Sequence, residues 1–339
     1  MPEPTSLLAT GFIADTAAEG SFIPTLLADS ASPNVQAVYW RCIACFYFSA
    51  RLNNPQQRLA LFTNVTPPSV DGVDIAALLD QIGVELHLLP LTARLPADKA
   101  KSWGNVLYFY DIMEHLSASE DPALRFALVD SDILVTDSLT PLFALLDEAE
   151  FGGYRVEETR PDEDVNGLTP AAMGAIARAM GSKVSGAVEH LGGELFIATP
   201  PAWRDNREAV RAMLDQAMAG EGEASAVRTE EHIYSIIAAM HAGKWAKANG
   251  LIKRMWTSIY FNNVRPGDEA LPVWHLPAEK RYGLRDLFFE LKGRGFSMKI
   301  SPVEFRELAK TCCGIPRKSV AKRFRDGVRQ VAGKLGLRP

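Results

Sequence analysis

Apolar runs and helical repeats alternate along the first 130 residues, and this alternation limits the folds that the chain can adopt. Strands are predicted for apolar runs at residues 7–12, 59–63, 84–89 and 126–129. Helices are predicted where apolar side chains recur at helical spacing, at residues 35–49, 75–82 and 99–116. Alternating strands and helices favour a mostly parallel sheet with helices on both faces, so we predict an α/β fold.

Two aspartates, Asp130 and Asp132, follow the apolar run 126–129 directly, with Ser131 between them. A buried strand delivers such residues to the carboxyl edge of a sheet, where open α/β folds bind ligands. Their like charges raise the pKa of at least one carboxyl group unless a cation neutralises them. Mg²⁺ and Mn²⁺ accept such hard oxygen ligands together with substrate phosphates. The residues alone equally allow a turn in which Asp130 and Ser131 cap a helix.

Length and composition are those of a globular protein. The chain has 339 residues, of which 47% are hydrophobic, enough for one large α/β domain with an appendage or for two domains. No apolar run approaches the roughly 20 residues of a membrane span, and the first residues lack the positive charge of a secretory signal. These features favour a cytoplasmic location. Cys42 and Cys45 lie in an apolar segment far from Cys312 and Cys313, which predicts buried or inert thiols without a zinc site.

Charge is concentrated at the carboxyl end. Residues 317–339 carry eight basic side chains against the single acid Asp326, a net charge of +7, and subtracting this from the total of −5 leaves −12 elsewhere. Apolar residues recur there at helical spacing, at Val320, Phe324, Val328, Val331 and Leu335. Such a helix suits the surface of an anionic membrane, or packs on the body with solvated charges. Nucleic acid is disfavoured because the acidic body repels phosphates.

The segment 126–143, FALVDSDILVTDSLTPLF, resembles the metal-binding segment of GT-A fold glycosyltransferases. It is most similar to glycosyltransferase family eight, the group of glycogenin and related galactosyltransferases. The resemblance lies in the strand that ends in Asp130 and Asp132, the short strand 133–135, the acidic turn at Asp137 and the Leu-x-x-Leu-Phe ending. It implies a GT-A fold with a bound Mn²⁺ or Mg²⁺ that Asp130 and Asp132 share with the diphosphate of a nucleotide sugar.

Two downstream segments resemble the retaining glycosyltransferases of family six. Residues 191–200, with Gly192, Gly193 and Glu194, are similar to the turn and strand that line the donor-sugar pocket, although a plain strand entry also explains them. Residues 229–233 resemble the segment whose glutamate lies under the anomeric carbon, which implies Glu230. Acidic residues after a Thr cap are also typical of an ordinary helix start. Glu230 and Glu194 are the candidate catalytic carboxylates.

His275 ends a predicted late strand, at the place where family eight has the histidine that completes the metal shell. Imidazole is an acceptable Mn²⁺ ligand. The resemblance therefore implies a metal set of Asp130, Asp132 and His275. The family then has a lysine that contacts the diphosphate, and either Lys280 or Arg281 matches it in this chain.

The donor nucleotide is expected beside the first strand and on the predicted helix before the metal strand. The resemblance implies Gly11 and Phe12 at the base and ribose, and Lys101 and Asn105 on that helix. Asp130 and Ser131 complete the donor site. The first-strand signature of family eight is absent, so the sequence leaves the nucleotide base and the sugar open.

Taken together, these features predict a metal-dependent glycosyltransferase that moves a sugar from a nucleotide-diphosphate donor to a glycan or lipid-linked acceptor, with retention of configuration by resemblance. We expect a GT-A domain over residues 1–300 and a basic amphipathic segment over 301–339, which places the protein at the inner face of a membrane if the helix binds lipid. A sugar nucleotidyltransferase and a non-catalytic binding protein are the alternatives, although residues 10–15 lack the Gly-rich phosphate loop of the former.

Overall fold

A computed structural model describes residues 5–96, 99, 102–157, 159–258 and 261–334 of the protein. The strands in chain order are β1 (Ser6–Phe12), β2 (Phe22–Ile23), β3 (Ala28–Asp29), β4 (Arg58–Thr63), β5 (Ser69–Val70), β6 (Val73–Asp74), β7 (Val84–Leu88), β8 (Arg125–Val129), β9 (Ile133–Val135), β10 (Phe151–Arg155), β11 (Leu191–Ala198), β12 (Trp245–Lys247), β13 (Ile252–Arg254) and β14 (Val273–His275).

The helices in chain order are α1 (Pro33–Asn53), α2 (Ile75–Ile82), α3 (Tyr108–Ser117), α4 (Thr140–Ala144), α5 (Pro170–Ala179), α6 (Pro200–Arg204), α7 (Arg207–Ala219), α8 (Glu230–Met240), α9 (Gly283–Gly293), α10 (Pro302–Cys313) and α11 (Val320–Lys334). Single 3₁₀ turns lie at Leu145–Asp147, Asp268–Ala270 and Pro277–Glu279. Within the described ranges every helix is too short or too polar to cross a bilayer.

The central sheet of the described residues has the strand order β12-β10-β11-β8-β1-β4-β7. Strand β1 runs parallel to β4 and β8, and β4 runs parallel to β7. Strand β11 runs antiparallel to both β8 and β10. The sheet is therefore mostly parallel, as the alternation of strands and helices predicts, and the antiparallel β11 borders the strand that leads to Asp130.

Apolar side chains of alternate strand residues enter two cores. Leu8, Leu61 and Val129 face a core shared with α1, α2 and α9, whereas Leu7 and Leu128 face a core shared with α3, α7 and α8. Because successive strand side chains point to opposite faces, this division places helices on both faces of the sheet. The predicted α/β architecture is confirmed.

A small second sheet, with the order β13-β14-β9, carries the late strand to the metal segment. Strand β14 pairs antiparallel with β9, so that His275 lies opposite Ile133, and Leu276 donates its backbone N–H to the carbonyl of Asp132 at 3.0 Å. The parallel pair β13–β14 places Arg254 beside His275. This sheet therefore joins residues that are far apart in the sequence.

The helix predicted for residues 99–116 is wrong at its start. Helix α3 begins only at Tyr108, and residues 104–107 form turns. Trp103 has a φ of +49° and donates its N–H to the carbonyl of Phe22, while Ser102 forms a bridge with Phe22. These backbone contacts hold residues 102 and 103 against the β2–β3 hairpin. The helical spacing of apolar residues cannot reveal such a contact. The candidate Lys101 lies outside the described residues.

All four cysteines are buried free thiols, as expected from their apolar surroundings. Burial raises the pKa of Cys42 and of Cys312 to about 12, which keeps both thiols protonated near neutral pH.

The carboxyl-terminal helix α11 attaches to the body through charged side chains. Glu279 is fully buried, and its carboxylate is 2.7 Å from Nζ of Lys318 and 3.0 Å from Nζ of Lys322. Asp326 lies 2.8 Å from Lys318, and Asp286 on α9 pairs with Arg325 and Arg329 of the helix. A buried carboxylate without these partners would carry a large desolvation cost. The domain boundary at residue 300 stays a prediction.

This attachment generates a stability prediction. We expect the double change Lys318→Met and Lys322→Met to destabilise the protein by about 3–5 kcal/mol, because it leaves Glu279 buried without a cation. Urea unfolding measures the loss, and Lys310→Met on α10, with its side chain exposed by about a quarter, is the control. Adding Glu279→Gln to the double variant should restore part of the stability. No rescue by Glu279→Gln would contradict the assignment of Glu279 as the group that needs the cations.

Candidate active site

Strand β8 delivers Asp130 to the edge of the sheet. Its last residue, Val129, lies opposite Leu195 of β11, and Asp130 donates its backbone N–H to the carbonyl of Glu194 at 3.2 Å. The chain then turns at Ser131 and continues into β9. Asp130 and Asp132 thus lie at a strand end in the turn between two sheets, and neither caps a helix.

The side chains of Asp130, Asp132 and His275 converge, with one potential ligand atom from each lying within 4.8 Å of the others. Nε2 of His275 lies 3.2 Å from Oδ2 of Asp130 and 3.3 Å from Oδ2 of Asp132. Asp132 and His275 are buried, whereas the Asp130 side chain is 44% exposed. Two carboxylates and an imidazole are a donor set that fits Mn²⁺ or Mg²⁺, with further positions left for water or phosphate oxygens.

Positive charge gathers around the two aspartates. Burial opposes the charged form of His275, yet the carboxylates of Asp132, Asp130 and Glu194 raise its pKa well above the ordinary value. Burial likewise opposes the charged form of Asp132, and Lys280 with His275 lowers its pKa below the ordinary value. The two carboxylates thus create a negative potential that favours the protonated form of His275 and binds the ammonium group of Lys280. A divalent cation requires the same negative potential.

Lys280, and not Arg281, reaches the metal candidates. Its ammonium group forms an ion pair with Asp132 and lies 5.8 Å from the ring centre of Tyr39. Arg281 is exposed and lies off the cavity wall. The sequence could not choose between these two basic residues because both follow His275 at similar spacing.

Glu194 lies behind His275 instead of on the cavity wall. It is fully buried, and its carboxylate makes two hydrogen bonds with Arg254, at 2.7 and 2.6 Å. Its Oε1 atom is 3.4 Å from Nδ1 of His275. A carboxylate behind the far nitrogen of a metal-binding histidine fixes the orientation of the imidazole. This geometry leads us to propose that Glu194 positions His275, and its predicted catalytic role stays a prediction.

The two glycines of β11 pack directly against acidic side chains. A Cβ on Gly193 would lie 2.1 Å from Oε1 of Glu230, and a Cβ on Gly192 would lie 1.9 Å from Oε2 of Glu194. Gly193 lines the cavity and Gly192 does not. The sequence predicts that the backbone approaches a ligand closely at both positions. At Gly192 the close neighbours are instead the side chains of Glu194 and Arg254.

Glu230 and Glu231 are adjacent but have different surroundings. Glu231 accepts a hydrogen bond from Nε2 of His190 at 2.7 Å and lies 3.8 Å from Arg254. Glu230 Oε2 is inaccessible to solvent and has no hydrogen-bond partner among the described residues. Burial, with the nearby charges of Glu231 and Asp130, raises the pKa of Glu230 well above the ordinary value. The two glutamates both line the cavity but differ in their hydrogen bonding.

Sequence reasoning did not identify Arg254, His190 and Thr159, among other cavity residues. Arg254 donates hydrogen bonds to Glu194. Nδ1 of His190 forms a hydrogen bond with the hydroxyl of Thr159 at 2.9 Å. All three line the same cavity as Asp130. A single Arg, His or Thr outside any motif gives no sequence signal, and only the fold brings these residues to the cavity.

The predicted nucleotide end of the site lies on the same cavity. Gly11, Phe12 and Asn105 line it together with Ile13. Asn105 donates to a carboxylate oxygen of Asp15 at 3.1 Å. Asp15 is buried, and its carboxylate is also bound by Ser30 at 2.6 Å and by Arg94 at 2.9 Å. Asp15 thus ties the loop after β1 to the segment before α3, a role that the sequence did not reveal.

One cavity of about 740 Å³ connects the metal candidates, the glutamates and the loop after β1. Small-molecule sites commonly have volumes of about 300–1,000 Å³. The cavity is therefore large enough for a nucleotide sugar.

The contact between Glu194 and His275 generates a prediction about metal affinity. We expect Glu194→Gln to weaken Mn²⁺ binding about 10- to 100-fold, because loss of the charge behind a metal-binding imidazole typically has this effect. Titration of free Mn²⁺ by electron paramagnetic resonance measures the affinity. Glu189→Gln is the control, since that carboxylate is about half exposed and pairs with Lys247. Equal affinity in Glu194→Gln and wild type would show that Glu194 does not support the metal site.

Comparison with known proteins supports the fold. No family model matches the sequence, and no curated protein matches it. The chain is similar to the crystal structure of the galactosyltransferase LgtC in complex with donor and acceptor sugar analogues, with 13% identity and a TM-score of 0.51 over 89% of this chain and 99% of that one. It is also similar to the structure of an active-site mutant of LgtC, with 14% identity and a TM-score of 0.51. That match covers 85% of this chain and 95% of the mutant chain. At such identities the likeness concerns the fold: the chain has the GT-A fold of glycosyltransferases.

Proposed function

We propose that the protein is a metal-dependent glycosyltransferase that moves a sugar from a nucleotide-diphosphate donor, a UDP-sugar, to a glycan or lipid-linked acceptor. The observation that carries this proposal is the convergence of Asp130, Asp132 and His275 at the edge of the sheet, on the wall of a cavity of about 740 Å³. The likeness to LgtC, which was crystallised with donor and acceptor sugar analogues, supports it.

Asp130, Asp132 and His275 would hold Mn²⁺ or Mg²⁺ in this proposal. Such an ion, when bound, supplies Lewis-acid neutralisation of the negative charge that develops on the leaving diphosphate. Lys280, already directed at Asp132, adds a positive charge at the same place. No protein acid is then required at the leaving group.

Glu230 is the proposed catalytic carboxylate. Transfer of a glycosyl group passes through a state with positive charge at the anomeric carbon. Glu230 lies next to Gly193 on the cavity wall, and in its ionised form it can stabilise that charge or attack the carbon while the diphosphate leaves. We propose retention of configuration, and the anomeric proton signal of the product in an NMR spectrum decides between retention and inversion.

Changing the aspartates tests the proposed function. With Mn²⁺ present, a panel of UDP- and GDP-sugars should contain one that raises the melting temperature, since a ligand at 100 times its Kd adds about 2.7 kcal/mol of stability. Asp130→Asn and Asp132→Asn should abolish this shift, EDTA should do the same to the wild type, and turnover should fall roughly 100-fold or more.

Asp137→Asn is the matched control, because Asp137 lies in the same segment but pairs with Arg306 away from the cavity. Turnover of a nucleoside triphosphate with a sugar phosphate, instead of transfer from a nucleotide sugar, would replace the proposal by a nucleotidyltransferase. Binding of no nucleotide under any condition would leave a non-catalytic protein.

We also propose that α11 rests on an anionic membrane at its cytoplasmic face. The helix turns its polar side inward, with Lys322 buried on the body. Its apolar residues point outward instead: Val320 is 83% exposed, Phe324 75% and Val328 53%. Arg323 beside Phe324 is exposed as well. An outward apolar stripe with flanking arginines suits insertion among acidic lipid headgroups, and such a site favours a lipid-linked acceptor.

Vesicle binding tests this second proposal. We expect sedimentation with phosphatidylglycerol vesicles, loss of most binding in Phe324→Ser because an inserted aromatic ring is removed, and weaker binding at high salt. Val303→Ser is the control, since Val303 on α10 is 73% exposed and lies outside the basic helix. Equal sedimentation of Phe324→Ser and wild type would contradict the proposal.

A further inference from the structure

Thr229 occupies the position just before helix α8 but does not cap it. The chain places threonine in the same position before α5 and α6, at Thr169 and Thr199, with similar extended backbone. There the hydroxyl accepts from the amide three residues on, at 3.1 Å for Thr169 and 3.4 Å for Thr199. Thr229 makes no such bond. Its hydroxyl is therefore free for another partner.

The start of α8 is secured in another way. His232 accepts a hydrogen bond from the amide of Arg228 at 3.1 Å through Nδ1, and its Nε2 donates to the carbonyl of Val165 at 2.7 Å. Burial lowers the pKa of His232, which favours the neutral ring that these two bonds require. The helix thus does not depend on the Thr229 hydroxyl.

The Thr229 hydroxyl is buried without a partner. The residue is only 6% exposed, and its Oγ1 atom has no hydrogen-bond partner among the described residues. The neighbouring Oε2 atom of Glu230 is in the same condition. Burying an unpaired hydroxyl or carboxyl oxygen is costly, so such groups in native proteins usually have a partner that completes them. Both residues line the cavity.

Two other polar groups of this wall have partners, although Nδ1 of His275 has no hydrogen-bond partner among the described residues. Glu231 is held by His190 at 2.7 Å, and Arg254 is held by Glu194 at 2.6 Å. The unpaired hydroxyl and carboxyl oxygens belong to adjacent residues. Glu230 lies beside Gly193, whose strand pairs with the strand that leads to Asp130. Both groups therefore lie on the cavity that the metal candidates also line.

We propose that Thr229 Oγ1 and Glu230 Oε2 together bind one ring hydroxyl of the transferred sugar, and that this pair selects the donor sugar. This inference rests on the proposed glycosyltransferase function. A sugar hydroxyl both donates and accepts, so a single group completes both atoms whichever one of them carries the proton. A donor that lacks this hydroxyl leaves the pair buried and unpaired, which is how such sites reject deoxy analogues.

Binding of UDP and of UDP-hexoses in the presence of Mn²⁺ tests the pair. The probes are UDP alone, the UDP-hexose that binds the wild type best, and its monodeoxy analogues. We expect Thr229→Val to weaken the UDP-hexose about tenfold, the size typical of one lost hydrogen bond in a buried site, and to leave the Kd of UDP unchanged. One monodeoxy analogue should show the same loss with the wild type and no further loss with Thr229→Val.

Thr199→Val is the matched control, because it removes a hydroxyl that caps a helix away from the cavity. It should lower the melting temperature and leave the ratio of UDP-hexose to UDP affinity unchanged, whereas Thr229→Val should not lower the melting temperature. Wild-type affinity for every probe in Thr229→Val, or an equal loss with all monodeoxy analogues, overturns this inference alone. Failure of the wild type to bind UDP or any nucleotide sugar with Mn²⁺ overturns the proposed function instead.

Discussion

Asp130 and Asp132 repel each other at the end of one strand, and the side chains around them offset this repulsion. Each aspartate lies within 3.3 Å of the imidazole of His275, and Lys280 pairs with Asp132. Behind them, Glu194 contacts both His275 and Arg254. Positive and negative side chains therefore alternate from the cavity wall into the core. In a medium of low dielectric constant such an arrangement is stable only when each charge has its partner.

The same turn that carries Lys280 also anchors the carboxyl-terminal helix. Glu279 faces Lys318 and Lys322 of the terminal segment, whereas the next residue faces Asp132. Attachment of α11 thus holds the backbone that positions a group of the candidate site. It also explains the orientation of the helix, because the buried carboxylate draws the lysines inward and leaves the apolar stripe, with Phe324 at 75% exposure, outside.

The cavity wall distinguishes residues that look alike in the sequence. Glu230 and Glu231 are neighbours, yet a histidine holds one and the other has an oxygen without a partner. Thr199 and Thr229 both precede helices, yet only the first caps its helix. In each pair the difference comes from residues on other elements, and the member whose polar atom is left unpaired, Glu230 or Thr229, lines the cavity. Function in this fold therefore follows from what the neighbouring elements leave available.

The sequence by itself determined the α/β architecture, the strand that ends at Asp130 and the buried state of the cysteines, because hydrophobic periodicity is local and survives in any context. It also indicated His275, which ends a late strand at the place where the resembled family has a histidine. Only the tertiary structure decided that Glu194 lies behind His275, that Lys280 and not Arg281 faces the metal candidates, and that helix α3 starts at Tyr108. The reason is physical: these outcomes depend on strand pairing and buried charge partners between residues far apart in the chain, which no local pattern records.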